Sequence, residues 1–551
     1  MAKWQANEPY EVTNCYSLYK KALSDQLTSG LRDKIPLCVD FYEGRQWPLP
    51  TENTKNLPRP VVNIIKMICR SKKGAIFSTP VRLQFKSYSH NTDVEKFNSF
   101  ARSVMKEYGQ DELDRIAIDD AIKKGSYFFH YFWDTDAYSN ESDENGALSC
   151  EIIDPLNIFF SNSAETNEQK QDWIIISSKV SSKKLASLDK DLNKELLELE
   201  KKSSTSDEII LLTRYFRING EVWCERQTKY LTISSPFKII PERTSNDTFL
   251  DKQIDLKTED FGHRGGKNVK TKQLYPVVCG VYERKEGSIY GTGEVEGLIP
   301  NQKAINFNIA MSLLNAQQCA WGKYIALPNA LNGQKISNVP GQVLVDYSGT
   351  GEGIKKLPES ELSKAPMDIT VTLEELTRSV AGASDIITGN VYNTNLSGAA
   401  IAHLQAQAEV PIEDLRNTFW AVKRKQGLVI AQFLKHFYFK RAFIVEKQGN
   451  NGEKCSCFDS FSSKDYGNSS FDVYVEAIGG TKSSLASDIS LLDSCLKNGN
   501  ISLETYIRAY PESAITNKEA ILKQIELEKS SELTRLKNEL QKYTQNRGVR
   551  A

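Results

Sequence analysis

Proton transfer, nucleophilic attack and metal chemistry draw on histidine, cysteine and carboxylates, and in this chain none of these falls into a working pattern. His90, His130, His263, His403 and His436 stand far apart. There is no H-E-x-x-H, which would set two imidazoles on one helical face, and no G-x-S-x-G turn to expose a nucleophile. His130, among aromatics, reads as a packed strand residue and His403 as a helix-surface one. The ten cysteines are scattered from Cys15 to Cys495 without a C-x-x-C, Cys455 and Cys457 being the one close pair. That spacing fits reduced thiols in a cytosol-like compartment better than a disulfide framework or a zinc site. Asp134 and Asp136 open like a calcium loop, but Tyr138 stands where an oxygen ligand is needed and the glycine is out of place, so a solvated hairpin turn is expected.

Phosphate-cradling loops fare no better. No G-x-x-x-x-G-K-[ST] occurs. GTGEVEG at Gly291 to Gly297 has Glu296 where a dinucleotide loop needs its third glycine, and GTGEG at Gly349 to Gly353 lies outside any βαβ unit; both read as turns. No metal, cofactor or catalytic residue is expected. A nucleic-acid-processing enzyme with a dispersed metal site stays open as an alternative, because carboxylates remote in sequence can still converge in the fold and hold two metal ions.

The elements around these residues belong to a folded chain. Of 551 residues 40% are hydrophobic and 25% charged, which excludes collagen-like and wholly disordered classes. Lys plus Arg (70) equals Asp plus Glu (70), so no global field exists to condense DNA or anionic lipid. The amino terminus lacks an apolar run of signal-peptide length. Ala304 to Gly322 is free of charge and approaches the length of a membrane span, but its Asn306, Asn308, Asn315, Gln317 and Gln318 would each need a partner in lipid. A helix touching protein on several sides is the better reading.

Apolar spacing predicts helices through Tyr16 to Leu27, from Val61 to Phe77, and from Phe97 to Lys124. YFFHYFW, LSCEIIDPLNIFF, DWIIISSKV, EIILLTRYFRI and GEVWCERQTKYLTI predict strands, with a charged helical linker, KKLASLDKDLNKELLELEKK, among them. A long helix should start between Glu294 and Pro300 and run to about Tyr324, roughly 40 Å at 1.5 Å per residue. KYIALP and GQVLVDY form a small β-module, and a second helix spans Asp368 to Val380. The uncharged turn-former segment GNVYNTNLSG precedes a very long helical pattern that Pro411 should kink or break, and beyond it Ile412, Leu415, Phe419, Val422, Ile430, Phe433 and Phe437 hold one apolar face. RAFIVEK and FDVYVEAIG predict strands. The carboxyl end predicts helix, turn and helix, with Ser502 capping the second, and then an amphipathic helix from Asn517 to Tyr543. Helices and strands mix without a βαβ rhythm, so the fold class is α+β.

The order of FYEGRQW, RPVVNIIK with KGAIFSTPVRLQF, IIDPLNIFF with DWIII, YGTGEVEGLIPNQKAINFNIAMSLLNAQ, ASDIITGNVYNTNLSGAAIAHLQAQAEVP and LKNGNISLETYIRAYP resembles the portal proteins of tailed double-stranded DNA bacteriophages. The resemblance covers nearly the whole chain. It implies a non-catalytic ring, typically of about twelve copies, at one capsid vertex of the virion, assembled in the host bacterial cytoplasm. Double-stranded DNA would enter and leave through it without sequence specificity. Implied partners are the large terminase, head-completion adaptor and tail proteins, major capsid protein and scaffold, and no membrane. By the same resemblance residues 1–288 and 400–482 are wing, 289–325 the first stem helix, 326–360 the clip and 361–385 the second stem helix. Residues 386–399 would be a tunnel loop and 483–551 a crown with a C-terminal helix. Asn390, Val391, Tyr392, Asn393, Thr394 and Asn395 would face DNA, and Ile305, Ile309, Leu313 and Gln317 would pack stems of adjacent subunits.

Overall fold

The computed structural model describes residues 15–88, 93–137, 146–188, 208–240, 272–320, 324–337, 343, 345–349, 352–356, 364–382, 398–448, 454–467, 469–477, 482–510, and a few positions between 518 and 527. The chain begins with α1 (Cys15–Thr28), α2 (Leu31–Glu43) and α3 (Ile64–Ile76). The Asn63 side chain caps α3 by accepting from Lys66 N, and Gly44 ends α2 in a left-handed conformation. The stretch expected as one helix after Phe97 is two, α4 (Val94–Glu107) and α5 (Gln110–Lys124). Gly109, at φ 72°, turns the chain between them, a conformation a residue with a Cβ adopts only at a cost.

Every strand pairing among the described residues is antiparallel, in keeping with an α+β fold. β2 (Ser126–Asp134), the aromatic run, is the centre of a sheet ordered β3-β2-β9, with β3 at Ala147–Ile153 and β9 at Val277–Val281. A five-stranded meander follows chain order through β4 (Ile158–Phe160), β5 (Trp173–Ser181), β6 (Glu208–Ile218), β7 (Glu221–Gln227) and β8 (Thr232–Lys238). GEVWCERQTKYLTI thus supplies two strands, because Thr228 turns the chain through its bonds to Leu231. Of the charged linker, α6 (Ser182–Leu188) is described.

Residues far apart in sequence share one core. β1 (Val81–Ser87) pairs with β14 (Phe471–Ala477), and a single buried cluster joins Phe41, Ile68, Phe97, Phe129, Ile305, Phe433 and Val473. Phe100 stacks on Phe461 with centroids 4.0 Å apart and meets Tyr438 and Phe443 edge-on. The stretch before residue 289 and the stretch from 412 to 477 therefore share one core. Through it runs the helix α9 (Gly398–Phe437), whose Ile412, Phe419, Val422, Ile430, Phe433 and Phe437 are buried as the spacing predicts. Of the kink or break expected at Pro411, the break does not occur: the helix is continuous from Gly398 to Phe437, which corrects that part of the sequence reading. From Ile412 onward the apolar face packs into the core, and that packing outweighs the one amide donor lost.

β12 (Arg441–Gln448) pairs with β13 (Lys454–Phe461), a strand not foreseen because KCSCFDSF carries no β-branched residue. α10 (Lys482–Lys497) and α11 (Leu503–Ala509) follow, with Gly499 at φ 71° between them and Ser502 Oγ accepting from Thr505 N as the predicted cap. Most of the helix expected over 517–543 lies outside the described residues.

Candidate functional site

α7 (Glu294–Ala320) leaves the core as a rod of roughly 40 Å, and α8 (Ala365–Val380) returns along it. The pair is antiparallel: Asn301 Nδ2, near the start of α7, donates to Thr377 Oγ1, near the end of α8, at 3.1 Å. At the far end β10 (Tyr324–Ala326) pairs with β11 (Ile354–Lys356). α7 therefore stops before Tyr324, which belongs to the β-module. The partner of KYIALP is this short strand rather than GQVLVDY, whose described residues carry no strand.

The foot of α7 explains GTGEVEG. A Cβ on Gly291 would lie 2.5 Å from Glu283 O, and one on Gly125 2.4 Å from Gly291 O, so backbone packs on backbone where α5 ends and α7 begins. The glycines serve that approach rather than a phosphate. Beside them Glu294 takes Lys72 Nζ at 2.8 Å and the Tyr282 hydroxyl at 2.8 Å in a nearly buried cluster. About two turns higher, Gln302 Oε1 accepts from Ile64 N at 3.0 Å and its Nε2 donates to Val62 O at 2.7 Å, and a turn beyond it Asn306 Nδ2 donates to Gln46 Oε1 at 2.6 Å. Both amides are buried, so an α7 amide that argued against lipid is satisfied inside the chain. Among the described residues no helix is long and apolar enough to cross a membrane.

Of the residues expected to pack stem against stem, Ile305 is fully buried in the chain's own core and has no surface left for another copy. Ile309 is half-buried against that core, while Leu313 and Gln317 are exposed. Phe307 and Met311, which the sequence reading passed over, are exposed as well, as are Met367, Ile369, Val371, Leu376 and Val380 on α8. Their apolar character was legible; which side the chain's own core would cover was not. The six tunnel-loop positions, Asn390 to Asn395, lie outside the described residues.

Neither the most buried thiols nor His130 is arranged as a nucleophile or a base. Burial pushes the thiols of Cys15, Cys69 and Cys224 up to about 12 and that of Cys38 to about 11, so they stay protonated at neutral pH. His130 is buried with both nitrogens engaged, Nδ1 with Glu151 Oε1 at 2.8 Å and Nε2 with the Tyr215 hydroxyl at 2.7 Å, tying β2 to β3 and β6. Asp134 Oδ1 accepts from Asp136 N at 3.0 Å, a local turn contact. Among the described residues, no three His, Cys, Asp or Glu side chains gather as metal ligands would.

The geometry is that of an apolar-faced helical hairpin rising from an α+β body, and a comparison with protein families identifies it. Residues 19–451, more than three quarters of the chain, match the family described as Phage P22-like portal protein. The chain belongs to that portal family. Its role is accordingly structural, as a component of a phage capsid. In portal terms the match runs from within α1 through the α7–α8 hairpin and α9 to the end of β12, and stops short of β13, β14, α10 and α11. No individual curated protein matches the portal chain significantly.

Proposed function

We propose that copies of this portal protein close into a ring at one capsid vertex, with α7 and α8 lining the stem of a channel through which double-stranded DNA is packaged and later ejected. The β10–β11 module is the clip, the platform for terminase and then for adaptor and tail proteins. Residues 386–399 form the tunnel loop, and α10 onward the crown. The observation that carries this reading is the hairpin's surface. Large apolar side chains stand exposed along both helices, and α7 has no charged residue after Lys303. An isolated soluble hairpin would place charges there, whereas a helix with a neighbour on each side would not.

The absence of net charge supports passage rather than grip. Each phosphate neutralised by Lys or Arg releases counterions and strengthens binding, which would act as friction on moving DNA. Negative-stain images and mass measurement of the purified chain are expected to show a closed ring with a central hole. Solitary molecules at every concentration, and capsids without a ring, would refute the assignment.

A further inference from the structure

The loop from α2 to α3, residues 45–63, is held rigid without a core of its own. Trp47 Nε1 donates to Pro60 O at 2.8 Å, and Arg59 donates to Pro48 O at 2.7 Å and to Thr54 Oγ1 at 3.0 Å. Pro48, Pro50, Pro58 and Pro60 fix their own φ angles. Yet the loop turns Leu49 outward at 89% exposure, with Leu57, Val61 and Val62 also exposed. Its end is mounted on α7, where Gln302 donates to Val62 O and Val62 N donates to Asn306 Oδ1 at 3.3 Å.

That mounting places the loop on one particular flank. At roughly 100° per residue, Asn306, Leu313 and Gln317 share a flank of α7, Phe307 and Met311 lie roughly 120° from it, and Asn301, which meets α8, marks the third side. Val61 and Val62 therefore stand at the foot of the Leu313 flank. We infer that this proline loop, continued by Leu313, receives the Phe307–Met311 flank of the next copy of the chain. The inference rests on the ring reading above.

A ring closes through head-to-tail contacts, which need two different patches on each copy, and α7 carries two exposed apolar flanks. The chemistry favours another copy over nucleic acid. Arg45 is paired with Asp40 at 2.7 Å and Arg59 is committed to loop oxygens, so that beside Lys55 and Glu52 the loop's outward surface is Leu49, Leu57, Val61 and Val62. The opposing flank is uncharged from Ala304 onward. Because the loop is already ordered, docking carries little entropic cost.

The test uses two double variants of the full chain, Leu49→Asp with Val62→Asp and Phe307→Asp with Met311→Asp, weighed at a concentration where the unaltered chain forms rings. All four side chains are exposed, so both variants should unfold thermally like a lone subunit of the parent chain. Each alone is expected at subunit mass. An equal mixture should give a heterodimer and nothing larger, since one complementary junction survives. The milder Leu49→Ser should raise the concentration needed for assembly roughly tenfold, as loss of one buried leucine contact predicts. Rings formed by the loop variant alone would overturn the loop's role, and a mixture without heterodimer would overturn the pairing of the flanks. If the unaltered chain itself stayed solitary, the ring would fall and this contact with it.

Discussion

The His130 bridge is where a single side chain decides how two sheets meet. Glu151, opposite His130 in the β2–β3 register, is held below the usual carboxylate range by its hydrogen bond with that imidazole, against the opposing effect of burial. A carboxyl whose ionised form is favoured by folding adds stability above its ordinary pKa, and that increment disappears as pH falls through the depressed folded value. Glu151→Gln should therefore lower the melting temperature at pH 7. The gap to the parent chain should close as the pH falls below the ordinary glutamate value of about 4.3. A gap that stays constant over that range in thermal unfolding would show that the pair adds nothing. The partnership itself was not legible in the sequence, which marks His130 as a buried strand residue but does not reveal that β6, many residues downstream, brings Tyr215 to its other nitrogen.

Where an element's own periodicity dictates its burial, the sequence could be read well. The buried face of α9 and the Ser502 cap follow from spacing and from a side chain that bonds its own backbone. What depends on distant partners could not be read. Pro411 is tolerated because the core covers the helix after it, and Ile305 turns inward because α7 is docked on the body by Gln302 and Asn306. The flanks of α9 are likewise fixed by distant partners. Lys423 pairs with Asp114, whose carboxyl burial pushes up, and Gln432 exchanges hydrogen bonds with both backbone groups of Leu274. Gln426 is the exception. It lies in the middle of the apolar face, fully buried, and neither amide atom meets a hydrogen-bond partner. An unsatisfied buried amide costs about 1–3 kcal/mol, so Gln426→Leu is expected to stabilise the chain by about that much. Denaturant unfolding checks it; a lower midpoint with unchanged slope would mean that the amide is engaged after all.

For the assembled ring the governing balance is between holding together and letting go. In the proposed ring, subunits would meet over apolar flanks, where burial of surface is strong and insensitive to salt. The cargo is a polyanion, whose attachment weakens steeply as salt rises. A change confined to the tunnel segment should therefore affect transport and leave assembly alone. Asn393→Lys adds one cation per subunit in a segment that carries no charge from Gly389 to Gly398. If that segment faces DNA, the ring brings all these cations to one constriction, each able to neutralise a phosphate and release its counterions. Rings of the variant should match the parent in mass and in negative-stain images. The amount of DNA packaged into capsids should fall several-fold, and the deficit should shrink as the salt concentration of the packaging reaction is raised, because screening removes the added grip. Equal loss of ring formation and packaging would place residue 393 at a subunit contact instead. A packaging deficit indifferent to salt would mean that the lysine acts by its shape rather than its charge.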